Sequence, residues 1–243
     1  MRIQACLNGA RPPDFHPALP LTPDELARDA AACVAAGAIA LHLHPRGAEL
    51  YESLEPRVIE ASMRAVRAAA PGIPISVSTA AWIAADDALR RRQVVAWAGL
   101  GTARPDEASV NLCEDDAPAV IEALLASGIG VEAGLSSLED ADRLIALGIA
   151  PRCRRFLVEI PEEEGPDLAE AILKRLDGIA PGVERQIHGE DASAWPLFRL
   201  AVERGAMARL GLEDIGLLPD GSPADGNASL LAAGLALARE AED

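Results

Sequence analysis

The chain alternates between two kinds of sequence stretch, one short and apolar, the other longer and amphipathic. Ala38–Leu43 is an example of the first kind, and Glu55–Ala70 is an example of the second. Short apolar stretches are typical of buried strands, whereas apolar residues spaced three and four apart are typical of helices. The pattern predicts strands over 2–7, 38–44, 73–79, 107–112, 130–132, 154–159, 183–188 and 207–213. It predicts helices over 22–37, 55–70, 86–98, 116–127, 136–148, 167–178, 193–205 and 224–240.

Strands that alternate with helices in this way predict a parallel sheet with helical crossovers. Eight strand–helix units in 243 residues are typical of a (β/α)8 TIM barrel, here a single domain over residues 1–243. A doubly wound open sheet has the same order of elements and is the competing architecture. No GxGxxG or GxxxxGK[ST] motif follows a strand, so that alternative has no nucleotide-binding motif in its favour.

Two histidines lie close together near the end of the second predicted strand, and the chain has only four, so the pairing does not come from a histidine-rich composition. His42 and His44 lie two residues apart on a predicted strand, so their side chains project to the same face. Neutral imidazole is a preferred ligand of Zn²⁺ and related ions. The pair therefore indicates half of a metal site.

The carboxyl ends of the predicted strands carry polar residues that an apolar strand interior does not need. In a parallel barrel these ends form one face, and catalytic residues lie there. We therefore consider the following residues as candidates: Asn8, His42, His44, Ser78, Thr79, Asn111, Glu132, His188, Glu213 and Asp214. We interpret three further strand-end carboxylates, Glu114, Glu159 and Glu190, as loop residues in water.

Glu213 ends the last predicted strand, where Arg209, Gly211 and Glu213 share one face at a period of two. If the barrel closes, this strand pairs with the first strand, which in turn pairs with the strand of His42 and His44. Glu213 would then face the two histidines. Two histidines and one carboxylate with open positions are the ligand set of a catalytic Zn²⁺.

Composition excludes several other classes of function. The formal net charge is −16, and the only basic run, Arg90–Arg92, is interpreted as a solvated helix face, so nucleic-acid binding is not expected. Cys6 and Cys113 fall in predicted strands as small core residues. No signal-peptide core is present, and no apolar run approaches the ~20 residues of a membrane span. We expect a soluble, cytoplasmic protein with no membrane partner.

Four segments resemble one known family. His42–Arg46 matches its HxHxR segment, and Arg209–Asp214 matches its RxGLED segment. Leu19–Ala27 matches its LPxTPEEIA stretch, and Leu217–Asn227 resembles the segment that follows RxGLED. On these motifs the chain resembles the β-keto acid cleavage enzymes, the family typified by 3-keto-5-aminohexanoate cleavage enzyme.

The resemblance implies a zinc-dependent barrel that condenses a β-keto acid with acetyl-CoA and cleaves the product to acetoacetate and a new acyl-CoA. A Lewis acid on a β-keto carbonyl stabilises the charge that develops when a proton leaves C2, so the implied metal suits the implied reaction. A homo-oligomer is also implied. The family pattern has a glycine-rich turn where this chain has His188–Glu190, and an Asp where it has Gly47.

The resemblance also implies a role for individual residues. It assigns His42, His44 and Glu213 to the Zn²⁺. The implied catalytic residues are the general base Asp214, the neighbouring Arg209 and a second carboxylate, Glu132. The expected substrate contacts, including two strand-end asparagines that we add, are Ser78, Thr79, Asn111 and Asn8.

Two alternative functions stay open at this point. A metal-dependent hydrolase of the amidohydrolase type also uses HxH, but on its first strand, with further histidines on its fifth and sixth strands. Here HxH lies on the second predicted strand, and the fifth and sixth offer Glu132 and Glu159. The other alternative is a barrel that binds a metabolite without turnover.

Overall fold

Eight parallel strands pair in chain order, and the last strand pairs back onto the first, so the sheet is closed. The structure is a computed structural model, and it describes residues 1–241. The strands are β1 (Ile3–Cys6), β2 (Ala40–Leu43), β3 (Ile75–Ser78), β4 (Glu107–Asn111), β5 (Gly130–Leu135), β6 (Arg155–Ile160), β7 (Glu184–Gly189) and β8 (Met207–Leu210). The helices are α1 (Pro23–Ala36), α2 (Pro56–Ala69), α3 (Asp87–Ala96), α4 (Ala117–Ala126), α5 (Leu138–Ala146), α6 (Pro166–Arg175), α7 (Ala194–Arg204) and α8 (Asn227–Glu240).

Closure of the sheet decides between the two predicted architectures. In β1, Ile3 lies opposite Ala208 and Ala5 lies opposite Leu210 of β8, whereas a doubly wound open sheet ends in two edge strands and does not pair its first strand with its last. The protein is therefore a (β/α)8 TIM barrel, as predicted, and the open-sheet alternative is wrong.

The predicted end of the last strand is wrong, because β8 stops at Leu210 and not at Glu213. Gly211 lies against the carbonyl of Cys6, where a Cβ atom would not fit. The next amide, that of Leu212, donates to Asn227 Oδ1 (2.6 Å) and so leaves the ladder. Glu213 therefore reaches the mouth of the barrel from a turn, and the period-two argument does not apply to it.

The helices begin and end where local chemistry favours it. Thr22 caps α1 and forms a capping box with Glu25, and Pro23 occupies the first turn. The helix ends at Gly37, which adopts φ 111°, a conformation that glycine tolerates best. Among the described helices, none is long and apolar enough to cross a membrane.

The interior of the barrel contains a polar group of side chains that sequence analysis did not predict. We call Gln4, Glu107, Glu132, Arg155 and Gln186 the floor cluster; all are buried. Arg155 contacts Glu107 through Nη2 (2.5 Å) and Glu132 through Nε (3.3 Å). Gln4 donates to Glu132 (3.0 Å) and accepts from Gln186 (2.8 Å). Each carboxylate thus faces an arginine.

Two minor interpretations of the sequence are also corrected. Arg90 is buried, where it donates to the carbonyl of Thr79 (2.6 Å) and pairs with Glu114, so Arg90–Arg92 is not simply a solvated face. Cys113 is exposed and follows β4, whereas Cys6 is buried. Patterns of residue type do not reveal these tertiary contacts.

Candidate active site

The two histidines of the second strand face each other at the carboxyl end of the barrel. His42 lies in β2 and His44 follows it, and both are buried. Their Nε2 atoms are 3.2 Å apart. Whether this contact is a hydrogen bond or two opposed lone pairs depends on which nitrogens carry protons, and the other ring nitrogens decide that.

On His42, the hydroxyl of Ser76 lies 3.1 Å from Nδ1. Ser76 donates its only proton to Glu132, so its oxygen accepts from His42 Nδ1. Burial, reinforced by Arg209, lowers the pKa of His42 to about 3. His42 is therefore neutral, with its proton on Nδ1 and a lone pair on Nε2.

On His44, Nδ1 donates to Glu52 Oε1 (2.5 Å), and Trp82 Nε1 donates to the other oxygen of Glu52 (3.1 Å). Burial alone lowers the pKa of His44, but Glu213 and Glu52 outweigh it and raise the pKa to about 9. The proton that this favours on Nε2 occupies the position that a metal ion would take. Sequence analysis missed Glu52, because it lies in a loop outside any strand end.

Glu213 completes the group from the turn after β8. Its Oε1 is 3.3 Å from His44 Nε2 and 3.9 Å from His42 Nε2, and Arg209 pairs with the same carboxylate. Burial raises the pKa of Glu213, but Arg209 and His44 dominate and hold it well below its usual range. The buried Oε2 has no hydrogen-bond partner.

These three side chains fit a metal ion. One ligand atom from each of His42, His44 and Glu213 lies within 4.8 Å of the others. With Nδ1 protonated on both rings, two imidazole lone pairs and a carboxylate oxygen converge on one point. A carboxylate or hydroxyl partner on the far side of each ring is the usual support of a metal-bound histidine. The group could therefore hold a divalent cation.

A cavity of about 320 Å³ opens above this group. Its walls come from the ends of six strands and from the loop after β1. They include the three candidate ligands together with Ala10, Arg11, Pro12, Ser78, Trp82, Ser109, Asn111, Glu159, Glu190 and Arg209. The position agrees with the rule that barrels place their sites at the carboxyl ends of the strands.

The predicted substrate contacts divide into two pairs. Ser78 and Asn111 line the cavity. Asn8 and Thr79 do not: Asn8 is bonded in both directions to the backbone of His44 (2.9 Å each), and Thr79 donates to the carbonyl of Ser109 (2.7 Å). Both are buried and hold strand ends in place.

The predicted catalytic residues also differ in position. Arg209 lines the cavity. Glu132 lies behind His42, 3.8 Å from Nδ1, where Arg155 and His42 outweigh burial and lower its pKa. Asp214 is buried and does not line the cavity; its Oδ2 accepts from the thiol of Cys6 (2.8 Å), and its Oδ1 has no hydrogen bond.

The interpretation of three strand-end carboxylates as loop residues in water is wrong for Glu114 and Glu159, whereas Glu190 is exposed in the loop after β7. Glu114 pairs with the buried Arg90 and accepts from the amide of Ala81 (2.8 Å). Glu159 and Glu190 line the cavity. Their positions at strand ends could have indicated that they belong to the site. The residues that surround them come from neighbouring strands, which the sequence pattern does not show.

His188 lies on β7 between Asp214 and Glu159. Its Nδ1 is 3.4 Å from Asp214 Oδ1, and its Nε2 is 3.3 Å from Glu159 Oε2. Burial and Arg209 lower the pKa of His188, but Glu159 and Asp214 outweigh them and raise it to about 9. His188 is therefore a buried cation between two carboxylates.

Comparison with known proteins gives one match over the whole chain. The family described as beta-keto acid cleavage enzyme matches residues 1–243. A search of curated protein sequences finds no match.

Solved structures of other proteins share the fold. The apo structure of ObcA has a TM-score of 0.71 at 18% identity, covering 93% of this chain and 62% of that chain. ObcA in a ternary complex with a C4-CoA adduct and oxalate has a TM-score of 0.73 at 16% identity, covering 93% and 64%. A type I 3-dehydroquinate dehydratase from Clostridium difficile has a TM-score of 0.63 at 10% identity, covering 98% and 92%. This chain thus spans less than two thirds of the ObcA chains.

Proposed function

The chain belongs to the β-keto acid cleavage enzyme family, and we propose that it uses Zn²⁺ to condense a β-keto acid with acetyl-CoA. The adduct would then be cleaved to acetoacetate and a new acyl-CoA. The single observation that supports this most is the convergence of His42, His44 and Glu213 below the cavity. A Claisen-type reaction of this kind makes the protein a carbon–carbon acyltransferase.

His42, His44 and Glu213 would hold the ion, and Zn²⁺ supplies Lewis acidity toward the substrate's oxygens. Glu52 and Ser76 fix the ring orientations through Nδ1. Glu132 acts behind Ser76, to which it is bonded, and not as a group in contact with the substrate. These contacts hold both Nε2 lone pairs toward one point.

We propose that Asp214 removes the proton from C2 of the β-keto acid. Among residues 1–241, no group donates a hydrogen bond to its Oδ1, which lies 3.4 Å from the ring of His188. Asp214 does not itself line the cavity, but catalytic contacts often tighten only when substrate is bound. Arg209 lines the cavity. Its positive charge would stabilise the negative charge that develops on the substrate as the proton leaves.

Ser78 and Asn111 are proposed as polar contacts of the substrate, because both line the cavity. For Asn8 and Thr79 we propose a supporting role instead, since their polar atoms are bonded to strand backbones. The structures of ObcA with a C4-CoA adduct and with oxaloacetate support a keto acid and a CoA thioester as partners here. Acetyl-CoA is our proposal for that thioester.

The test begins with metal analysis of the purified protein, followed by incubation with acetyl-CoA and a panel of β-keto acids. We expect about one zinc ion per chain and formation of acetoacetate. A parallel panel of amides and esters tests the hydrolase alternative, and no turnover of any compound would favour a binding barrel.

Asp214→Asn tests the proposed base. We expect the metal content of the wild type and a kcat lowered by ~10²–10⁴-fold, the usual contribution of a general base. Asp220→Asn is a matched control, because Asp220 is exposed and bonded only to Ser222. An Asp214→Asn variant with wild-type kcat would overturn the assignment. The single domain over residues 1–243, the homo-oligomer and the cytoplasmic location stay predictions.

A further inference from the structure

His188 has a carboxylate on each side of its ring. It connects Asp214, which is buried, to Glu159, which lines the cavity. A neutral imidazole has one N–H and could serve only one of these carboxylates, turning a lone pair toward the other. The protonated ring suits both. The contacts, at 3.4 and 3.3 Å, are ion pairs without hydrogen-bond alignment.

The backbone of Asp214 is fixed independently of this contact. Its carbonyl accepts from Arg11 Nη2 (2.8 Å) and from the amide of Asp191 (2.8 Å). The side chain therefore has one main freedom, rotation of the carboxylate. Cys6 restrains one oxygen of that carboxylate, and His188 faces the other.

The strand that carries His188 is also held closely. Gly189 lies against Ser193, where a Cβ atom would not fit, and Ser193 Oγ donates to the carbonyl of Ile160 (3.0 Å). These contacts tie the end of β7 to β6, the strand of Glu159. These contacts thus help to keep the ring of His188 in one position between Asp214 and Glu159.

We propose that His188 is a positioning residue, which holds the carboxylate of Asp214 in one orientation by facing its Oδ1, while Glu159 anchors the far side of the ring. This rests on the proposed function, because Asp214 is its proposed base. Without His188, Asp214 and Glu159 would lose the cation between them. The Asp214 carboxylate would then rotate about its Cα–Cβ–Cγ bonds, with only Cys6 to restrain it.

The kinetic test uses His188→Ala, His188→Asn and His188→Gln. Misplacing a reacting group by about 1 Å costs ~10²-fold in rate, so we expect His188→Ala to lower kcat about 100-fold with little change in KM. The amide nitrogen of Asn stands near the position of Nδ1 and faces Asp214, so His188→Asn should recover to within about tenfold of wild type. The Gln amide faces Glu159 instead and should recover less.

His16→Asn is the matched control, because His16 lies outside the cavity and, among residues 1–241, its ring hydrogen-bonds only to backbone atoms of Ala18 and Ala224. It should keep wild-type kcat. Metal content should equal that of the wild type in every variant. If His188→Ala is insoluble, the comparison of Asn with Gln decides. Equal losses in all His188 variants, or a kcat within about threefold of wild type in His188→Ala, would overturn the proposal.

Crystal structures of the variants give a readout that needs no turnover. We expect the Asp214 carboxylate to rotate in His188→Ala and to keep its wild-type orientation in His188→Asn. An unmoved carboxylate in His188→Ala, or an equal movement in both variants, would overturn the positioning role. If the wild type cleaves no β-keto acid although the carboxylate moves as expected, the proposed function fails and the positioning geometry stands.

Discussion

Two groups of buried charged side chains lie along the axis of the barrel, and they are balanced differently. In the floor cluster, Glu107 and Glu132 both contact Arg155. In the group at the mouth, Nε2 of His42, Nε2 of His44 and Oε1 of Glu213 lie within 4 Å of one another. Arg209 pairs with the carboxylate there, but it leaves the buried Oε2 of Glu213 without a partner.

The difference separates a structural cluster from a candidate site. Buried charges are stable when the protein supplies their partners, and the floor cluster meets that condition with its own residues. The mouth meets it only through a proton, because the raised pKa of His44 favours a proton on Nε2, the position that a metal ion would take. A divalent cation from outside the chain could replace that proton. The following predictions test this comparison, beginning with the largest effect.

Removing a ligand at the mouth should abolish metal binding and activity without unfolding the protein. We expect His42→Ala to contain no bound metal and to lose about 10³-fold or more in kcat/KM, since the Lewis acid contributes several kcal/mol. Metal analysis and kinetics measure both. His16→Ala serves as the control. Stoichiometric zinc in His42→Ala would show that this residue is not a ligand.

Removing the cation of the floor cluster should have the opposite result. Arg155→Met leaves Glu107 and Glu132 without their shared partner, and breaking a buried pair costs about 3–5 kcal/mol of unfolding free energy. Folded Arg155→Met should still bind the metal. Denaturant unfolding measures the loss, and Arg154→Met, which removes a half-exposed partner of Glu107, should cost at most about 1 kcal/mol. Equal losses for both arginines would contradict the comparison.

Glu52→Gln should weaken metal binding at the mouth of the barrel without removing a metal ligand. The amide is a poorer acceptor for His44 Nδ1, and loss of such a support typically lowers metal affinity by about 10–100-fold. Competition with a chelator measures the affinity. Glu49→Gln changes an exposed residue of the same loop and should leave affinity unchanged. Unaltered affinity in Glu52→Gln would mean that His44 needs no carboxylate to orient it.

Asp29 belongs to neither group, and it shows how burial changes the pKa of a carboxylate that has no cation to offset it. Burial raises its pKa to about 6, against the opposing effect of the Asn227 amide. The folded state therefore binds this proton more tightly than the unfolded state, so the stabilising effect is complete below pH ~4 and is lost as pH rises through ~6. The unfolding free energy of Asp29→Asn should exceed that of the wild type by about 1–2 kcal/mol at pH 7 and by little at pH 4. If the unfolding free energies of the wild type and of Asp29→Asn changed with pH in the same way, this prediction would be contradicted.

The sequence was sufficient to predict the elements of the barrel and the two histidines. Strand and helix periods are local properties, and the HxH spacing places both rings on one face whatever the rest of the chain does. Glu213 was predicted to be near them by a partly wrong route, since the residue lies in a turn after β8. The turn depends on Gly211 meeting the Cys6 carbonyl, a contact between distant residues.

The remaining parts of the site depend on contacts that no local pattern encodes. Glu52 comes from a loop, and Cys6 was interpreted as a core residue because its type and strand position fit that role. Asn8 and Thr79 follow β1 and β3, close to the predicted strand ends, but their side chains bond to backbone atoms. A position at a strand end can be predicted from sequence, whereas the direction of the side chain there is set by its neighbours.

The pairing of the first strand with the last has a consequence for when the site can form during protein synthesis. Asn227, the first residue of α8, donates to the carbonyl of Leu7 (2.8 Å) and accepts from the amide of Leu212 (2.6 Å), so it links the segments that follow β1 and β8. A ribosome releases the histidine pair long before Glu213 emerges. The three candidate ligands can therefore meet only after β8 has been made, and an ion bound to them would link β2 to the turn that follows β8. Chemistry can begin only once the ring of strands is complete.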